Sequence, residues 1–498
     1  MKIEQFPDDV KDYILPAPSG ELSYRCLKCE RVHPPLKLYY ACPDCGGLLL
    51  IEDMKEARLR EKPGAFWRRL FDFRRLANIQ SLRGVFAFYE FLAPLIPLED
   101  VIYLGEGHTP LIQAPAKLAE AVGIRLFVKH DGQNPSASFK DRGMAAALSY
   151  LKYVIRSRKL TNVLAVCAST GDTSAAAALY ASALGPEVKS AVLLPKGKVT
   201  PAQLSQPLGA GALVFELPGV FDDCMKVVEH LSEHYDVALL NSKNPWRVLG
   251  QESYAYELAQ QLDYELGDVA VFVPVGNAGN ITAVMSGLLK LKRCDVIDRL
   301  PKVIAVQSSH ADPVYRYYSR PESERVYQPV TVRPSVAQAA MIGDPVSFPR
   351  VAKMAAEYDA TAGERRFFVV EVEEQAIMDN MLQANRSGLT ICTQGGEGLA
   401  GLREALRLGL VETGERAVVD STAHALKFTG FQSDYFADAL RDGFEIKAKP
   451  QLVNRPIDIS PAGAPLPEAG RAQSAADRAA YVAAAAKDVA LALGLNKR

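Results

Sequence analysis

Long apolar runs, an excess of either charge, abundant cysteine and a Walker-type glycine loop are all missing from this sequence. No apolar stretch reaches the roughly 20 residues of a membrane-spanning helix. The first residues, Met1-Lys-Ile-Glu-Gln-Phe-Pro-Asp-Asp9, are polar and acidic rather than charged and then apolar, so a cytoplasmic location is expected. The 57 basic and 58 acidic residues leave a net charge of −1, which provides no overall field to gather nucleic acid or an anionic membrane surface. No basic run interleaved with aromatics takes a form that suggests nucleic-acid binding. Eight cysteines in 498 residues are too few for a disulfide scaffold and agree with a reducing compartment. No Walker loop is present, which sets aside a P-loop reading, and the glycine loop at 274–280 lacks the GxGxxG spacing of a dinucleotide fold. No internal repeat is evident. What remains is an ordinary globular composition, 48% hydrophobic and 23% charged, long enough for about two to four compact units.

Four of the few cysteines are clustered. Cys26-Leu-Lys-Cys29 and Cys42-Pro-Asp-Cys45 form C-x2-C-x12-C-x2-C, in which each pair presents two thiolates from one tight knuckle and Gly46-Gly47 lets the backbone turn. This reads as a small zinc ribbon over 1–58. Four sulfur ligands leave no open position for catalysis, so the metal would hold folded a segment too short to bury much apolar area. The alternative is a set of reduced cysteines without metal. Cys167, Cys224, Cys294 and Cys392 are scattered and read as structural.

The richest segment is Asn134-Pro-Ser-Ala-Ser-Phe-Lys-Asp-Arg-Gly143. A buried or crowded lysine loses its proton easily, and its amine can then hold a carbonyl cofactor such as pyridoxal phosphate (PLP) as an imine. Alone, Lys140 reads equally as a surface lysine paired with Asp141. Three other segments change the balance. Pro274-Val-Gly-Asn-Ala-Gly-Asn280 follows the apolar run Val269 to Val273 and precedes a helical pattern. A strand, a Gly/Asn turn and a helix start converge backbone N–H groups on one anion. Ala168-Ser-Thr-Gly-Asp-Thr-Ser174 crowds four hydroxyl side chains into six residues at another helix start. Ser421-Thr-Ala-His-Ala-Leu-Lys-Phe428 puts a hydroxyl at a strand end, where open α/β sheets bind ligands.

Short apolar runs alternate with helical patterns after Val101. Strands are expected over 126–130, 163–167, 190–194, 212–217, 269–275, 303–307, 367–372 and 417–420, which predicts parallel sheet covered by helices. Residues 59–100 form an arm rich in aromatics, including Phe66, Trp67, Phe71, Phe73, Phe86, Phe88 and Phe91, suited to packing on the catalytic body or on a second subunit. Residues 101–450 carry the catalytic motifs. Over 451–498, prolines at 456, 461, 465 and 467 give a linker, and 474–493 an alanine-rich helix.

Taken in order, the SFKDRG, STGDTS, GNAGN and STAHALKF motifs, with Gly105-Glu-Gly-His-Thr-Pro-Leu111 ahead of them, resemble the threonine synthases, a family of fold type II PLP enzymes. The resemblance runs from about Val101 to about Gln432. It implies an α/β fold of two lobes with parallel sheets covered by helices, the cofactor between them, and a smaller movable lobe near 143–240. It implies that Lys140 is the catalytic, cofactor-bearing lysine, that Gly276, Asn277, Ala278, Gly279 and Asn280 bind the cofactor phosphate, and that Thr422 meets the pyridine nitrogen. Asp172 stands where many fold type II enzymes have asparagine, though the Gly-Asp-Thr version also occurs among threonine synthases, and its charge would repel the cofactor's O3′ unless a proton lies between them. The implied substrate is O-phosphohomoserine, a small molecule, with Ser169, Thr170, Thr173 and Ser174 suited to its anionic groups. In Asn241-Ser-Lys-Asn-Pro-Trp-Arg247, Ser242, Asn244 and Arg247 resemble the segment that meets its phosphate. Lys196 and Lys198 either join on closure or are solvated lysines after a strand, the commoner case, and His424 is either an acid/base or a supporting residue. The implied reaction eliminates phosphate from Cγ and adds water at Cβ to give L-threonine. A homodimer is compatible with the arm. The competing expectations are another fold type II lyase or dehydratase, or a PLP-fold binding protein without turnover.

Overall fold

Residues 2–169, 171–197, 201–219, 221–459, 461, 467–468 and 472–496 are described by a computed structural model. Thr170, Lys198 and Pro465 lie outside the described residues. The chain divides into two units, Met1–Lys447 and Ala448–Arg498.

In the first unit, β1 (Leu22–Cys26), β2 (Val32–His33) and β3 (Leu49–Asp53) form an antiparallel sheet in the order β2-β1-β3, and this sheet carries the cysteine cluster. The body is built from β4 (Leu111–Gln113), β5 (Arg125–Lys129), β6 (Val163–Ala168), β7 (Val188–Pro195), β8 (Leu213–Leu217), β9 (Val237–Leu239), β10 (Val269–Pro274), β11 (Lys302–Ser308), β12 (Phe367–Val372) and β13 (Arg416–Asp420). A six-stranded sheet has the order β12-β11-β10-β13-β5-β4 and is parallel except for β4, which runs against β5. A four-stranded parallel sheet has the order β8-β7-β6-β9. This is the expected α/β architecture. Strand β10 is buried at every position, which is why it reads as a continuous apolar run rather than an alternating one.

Each expected strand of the body is present, with no end shifted by more than two residues. The strands without a forecast are β4 and β9, three residues each and too short to show a period, and those of the cysteine-bearing sheet. The aromatic arm contributes the helix Gly64–Arg74 and several 3-10 turns. Its rings pack edge to face on one another, with Trp67 and Phe91 5.1 Å apart and Phe71 and Phe88 5.0 Å, and Phe88 meets Tyr256 of the body in a tilted contact at 5.4 Å.

Strand ends set where the site falls. β10 and β13 are parallel neighbours, so the loops leaving their carboxyl ends, 275–280 and 421–424, emerge side by side. The second unit contains the helix Ala475–Leu493, started by the Ser474 hydroxyl accepting the Asp477 N–H at 3.1 Å and stopped by Gly494 at φ 63°; none of its residues is buried. Among the described residues no helix is long and apolar enough to cross a membrane.

Candidate active site

Lys140 opens the helix Lys140–Arg158, and its position is fixed from both sides. The Phe139 N–H donates to the Thr422 carbonyl at 2.8 Å, and the His424 N–H donates to the Ala137 carbonyl at 3.0 Å. The lysine loop and the Thr422 loop are therefore stitched together by backbone. Asp141 is not the partner of Lys140: its carboxylate accepts the Ser136 N–H and hydroxyl, each at 2.6 Å, and closes the loop before the helix. Arg142, buried on the next position, bonds Asp131 and Glu257 and anchors the helix start in the body. The surface ion pair between Lys140 and Asp141 is thus replaced by a half-buried lysine beside a self-contained loop.

Burial and the charge of Arg247 lower the Lys140 amine from 10.5 to about 7, against the opposing pull of Asp172. The amine lies 4.2 Å from the Phe139 ring centre. Arg247 comes close because two helices touch at glycines: a Cβ on Gly143 would stand 2.8 Å from the Arg247 carbonyl oxygen. Arg247 is buried and donates from Nη1 to the Leu240 carbonyl at 3.0 Å, while its Nε has no partner.

One cavity is lined by Lys140, Asp172, Ser242, Arg247, Gly276 through Asn280, Gln394 and Thr422. Its anion cup starts the helix Gly279–Arg293, where Ala278 adopts a left-handed φ of 63° and the first helical N–H groups have no intrahelical acceptor. Gly276 is required by space, since a Cβ there would lie 2.9 Å from Ala340 Cα. The Asn280 amide donates to Asp420 at 3.0 Å, tying the cup to the end of β13.

Several assigned residues fall elsewhere. Ser169 and Ser174 are engaged with their own loop: the Ser169 hydroxyl accepts the Gly171 N–H at 3.3 Å, and the Ser174 hydroxyl donates to the Gly171 carbonyl at 2.7 Å. Neither they nor Thr173 lines the cavity. Asn244 caps the helix Pro245–Gln251, accepting the Trp246 N–H at 2.9 Å and donating to the Leu239 carbonyl at 2.9 Å. His424 Nδ1 accepts the Leu426 N–H at 3.2 Å, a capping contact. Cys167, Cys224, Cys294 and Cys392 are buried, and burial pushes the Cys167 thiol up to about 12.

Two residues escaped the sequence reading. Lys427 pairs with Asp172 at 2.7 Å and donates to the Ser136 carbonyl at 2.8 Å, so this carboxylate has its own counter-charge. Gln394 is 2% exposed, and neither atom of its amide has a partner. A buried amide left open at both ends and lining a cavity calls for a ligand there. The unpartnered groups of Gln394, Arg247 and Asn280, the cup and the deprotonated lysine together fit PLP: an aldehyde to the amine, a phosphate to the cup.

In the N-terminal sheet, Cys26 and Cys45 Sγ lie 3.5 Å apart, Cys29 and Cys42 Sγ 3.7 Å, and all four sulfurs fall within 4.8 Å of one another. Sulfurs about 2.3 Å from a tetrahedral ion would lie roughly 3.8 Å apart. The Lys28 and Cys29 N–H groups point at Cys26 Sγ at 3.4 and 3.5 Å.

Fold and cavity define an enzyme of PLP chemistry. The family described as "Pyridoxal-phosphate dependent enzyme" matches residues 102–422. Threonine synthase from Methanocaldococcus jannaschii is 33% identical over 81% of this chain and 92% of its own length. Threonine synthase 2, chloroplastic, from Arabidopsis thaliana is 34% identical over 83% of this chain and 77% of its own. The crystal structure of threonine synthase from Escherichia coli shares the fold, with a TM-score of 0.61 at 21% identity, covering 82% of this chain and 90% of that one. The chain belongs to the threonine synthases, within the pyridoxal-phosphate dependent enzyme family.

Proposed function

We propose that this chain converts O-phosphohomoserine and water into L-threonine and phosphate. The observation that carries this reading is a lysine amine with its pKa brought to about 7, lining one cavity with an anion cup and with the buried guanidinium of Arg247, whose Nε has no partner. One phosphate site suffices for a PLP enzyme acting on a simple amino acid. A second suits a substrate that brings its own phosphate.

PLP, when bound, supplies an electron sink for carbanion charge beside the substrate's amino-bearing carbon. Lys140 would hold the cofactor's aldehyde carbon and, once released, carry protons at Cα, Cβ and Cγ, a task that needs an amine poised near neutrality. Gly276 to Asn280 would grip the cofactor phosphate by backbone N–H groups. The Thr422 hydroxyl would face the pyridine nitrogen, and being neutral it leaves that nitrogen without the full charge an aspartate would enforce. Asp172, held by Lys427, would stand on the phenolic side of the ring. Arg247 and Ser242 would take the substrate phosphate and orient it for departure from Cγ. The N–H groups at the start of the helix Asp172–Ala181 would receive the carboxylate, since Ser169 and Ser174 are committed locally and Thr173 lies off the cavity wall. The lobe around the four-stranded sheet would close over the cavity and admit one water.

The Cys26, Cys29, Cys42 and Cys45 thiols would hold a structural zinc; their sulfur spacing supports it, and metal analysis of purified protein tests it.

Products assayed from O-phosphohomoserine and O-phosphoserine in parallel decide the function. Equal release of threonine and phosphate from the former is expected; 2-oxobutanoate as the main product would reject the proposal in favour of a dehydratase.

A further inference from the structure

Arg350 belongs to no motif, yet it joins three parts of the molecule. It lies in the first turn of the helix Phe348–Ala362 and is fully buried. Nε and Nη2 donate to the Leu49 carbonyl at 3.2 and 2.7 Å. Nη1 donates to the Ser242 carbonyl at 3.1 Å and the Ser347 hydroxyl at 3.0 Å, and Nη2 also donates to the Lys243 carbonyl at 2.9 Å. These contacts use all five N–H groups that a guanidinium offers. None is left for a substrate.

The acceptors sit in telling places. Leu49 begins β3 and is the register partner of Cys26 in β1, so it lies across the ladder from the cysteine cluster. Ser242 and Lys243 open the loop that leads into Arg247. Ser347 donates its own N–H to the Asn277 carbonyl at 3.2 Å, within the anion cup. The cysteine-bearing sheet, the substrate-phosphate loop and the cofactor cup thus converge on one side chain.

Charge adds to the geometry. Burial works against the positive charge of both Arg247 and Arg350, the charge of Arg247 weighs further on Arg350, and no carboxylate offsets either among the described residues. Two buried cations without an acid are costly until an anion arrives.

We infer that Arg350 is a positioning residue for the substrate's phosphate: it fixes the Ser242–Arg247 loop, adds a second positive charge behind it, and makes the affinity of that subsite depend on the cysteine-bearing sheet through Leu49. This rests on the reading of Arg247 as the phosphate-binding fork.

The test uses wild-type holoenzyme, Arg350→Met and Arg350→Lys, with two measurements. The first is the binding of inorganic phosphate, read calorimetrically or from the bound cofactor's absorbance, and it needs no turnover. The second is KM and kcat for O-phosphohomoserine. In Arg350→Met, phosphate Kd and KM are expected to rise at least about 10-fold, the scale of losing charged hydrogen bonds, with kcat changed by less than about 3-fold. Arg350→Lys keeps the charge without the fork and is expected to lie between; it decides the matter where Arg350→Met does not fold. Chelating the metal from the wild type is expected to weaken phosphate binding in the same direction. Unchanged phosphate Kd in both variants, or a fall in kcat with KM and Kd unmoved, overturns the inference. A wild type that makes no threonine refutes the proposed function instead, while the phosphate titration still judges Arg350.

Discussion

Lys140→Met in the apoprotein separates the demands of catalysis from those of folding. Methionine keeps the length of the side chain and removes its charge. In the folded chain the amine is lowered from 10.5 to about 7, first by burial and then by Arg247. Each pH unit of such a difference is worth 1.36 kcal/mol, so folding with this lysine costs about 5 kcal/mol at and below neutral pH. Because the folded pKa is the lower one, the unfolded chain binds the extra proton between about pH 7 and 10.5. Stability of wild-type apoprotein therefore rises with pH across that window, and the cost is gone above it. Lys140→Met apoprotein is expected to be the more stable, by up to about 5 kcal/mol near pH 7, with the gap closing toward pH 10. Urea unfolding of both apoproteins at several pH values measures it. With cofactor present the order reverses, since only the wild type gains from holding it covalently. An equal or lower stability of the variant at neutral pH, or a gap that ignores pH, would refute the claim that this amine is kept deprotonated by its surroundings.

Thr422→Val removes one neutral hydrogen bond, worth about 1 kcal/mol; cofactor titration should show a Kd raised about 5-fold, and an unchanged Kd removes Thr422 from the cofactor site. Lys427→Met leaves the buried Asp172 carboxylate without its 2.7 Å partner; unfolding midpoints should fall by the equivalent of about 3 kcal/mol, and adding Asp172→Asn should restore most of the loss. Gly47→Ala places a Cβ 2.8 Å from Cys26 Sγ and 2.9 Å from Lys28 Cβ; metal content should drop while the product ratio stays the same, and full metal retention would count against the zinc assignment.

The legible parts of the site share one property: their function is local in sequence. The cup from Gly276 to Asn280 and the Lys140 and Thr422 segments are each a strand end or helix start whose chemistry can be read from adjacent residues. Gln394, Lys427 and Arg350 are different. Gln394 sits in the helix Thr393–Arg407, and only its unpartnered amide, a property of the folded surroundings, marks it. Lys427 could be quoted within its motif, but its partner Asp172 lies on another element. The reverse error follows the same rule: Asn244 and Ser174 looked available because the sequence does not show that Trp246 N–H and the Gly171 carbonyl already occupy them.

The cysteine-bearing sheet shows why composition alone assigned it too small a part. Read by itself, it is a short segment that needs a metal to stay folded. In the structure, β1 sends Tyr24 into the body, where its hydroxyl accepts the Trp246 Nε1–H at 2.9 Å and meets the Tyr150 hydroxyl at 2.9 Å. Tyr150 and Trp246 stack at 3.8 Å between ring centres. Tyr150 lies on the helix that Lys140 begins, and Trp246 is the residue before Arg247. A large aromatic contact and a fully used guanidinium at Arg350 therefore brace the same loop from the same sheet. Placement of a charged group within a fraction of an ångström depends on the rigidity of the backbone that carries it, so the cysteine-bearing sheet behind that loop turns folding energy into rigidity at Arg247.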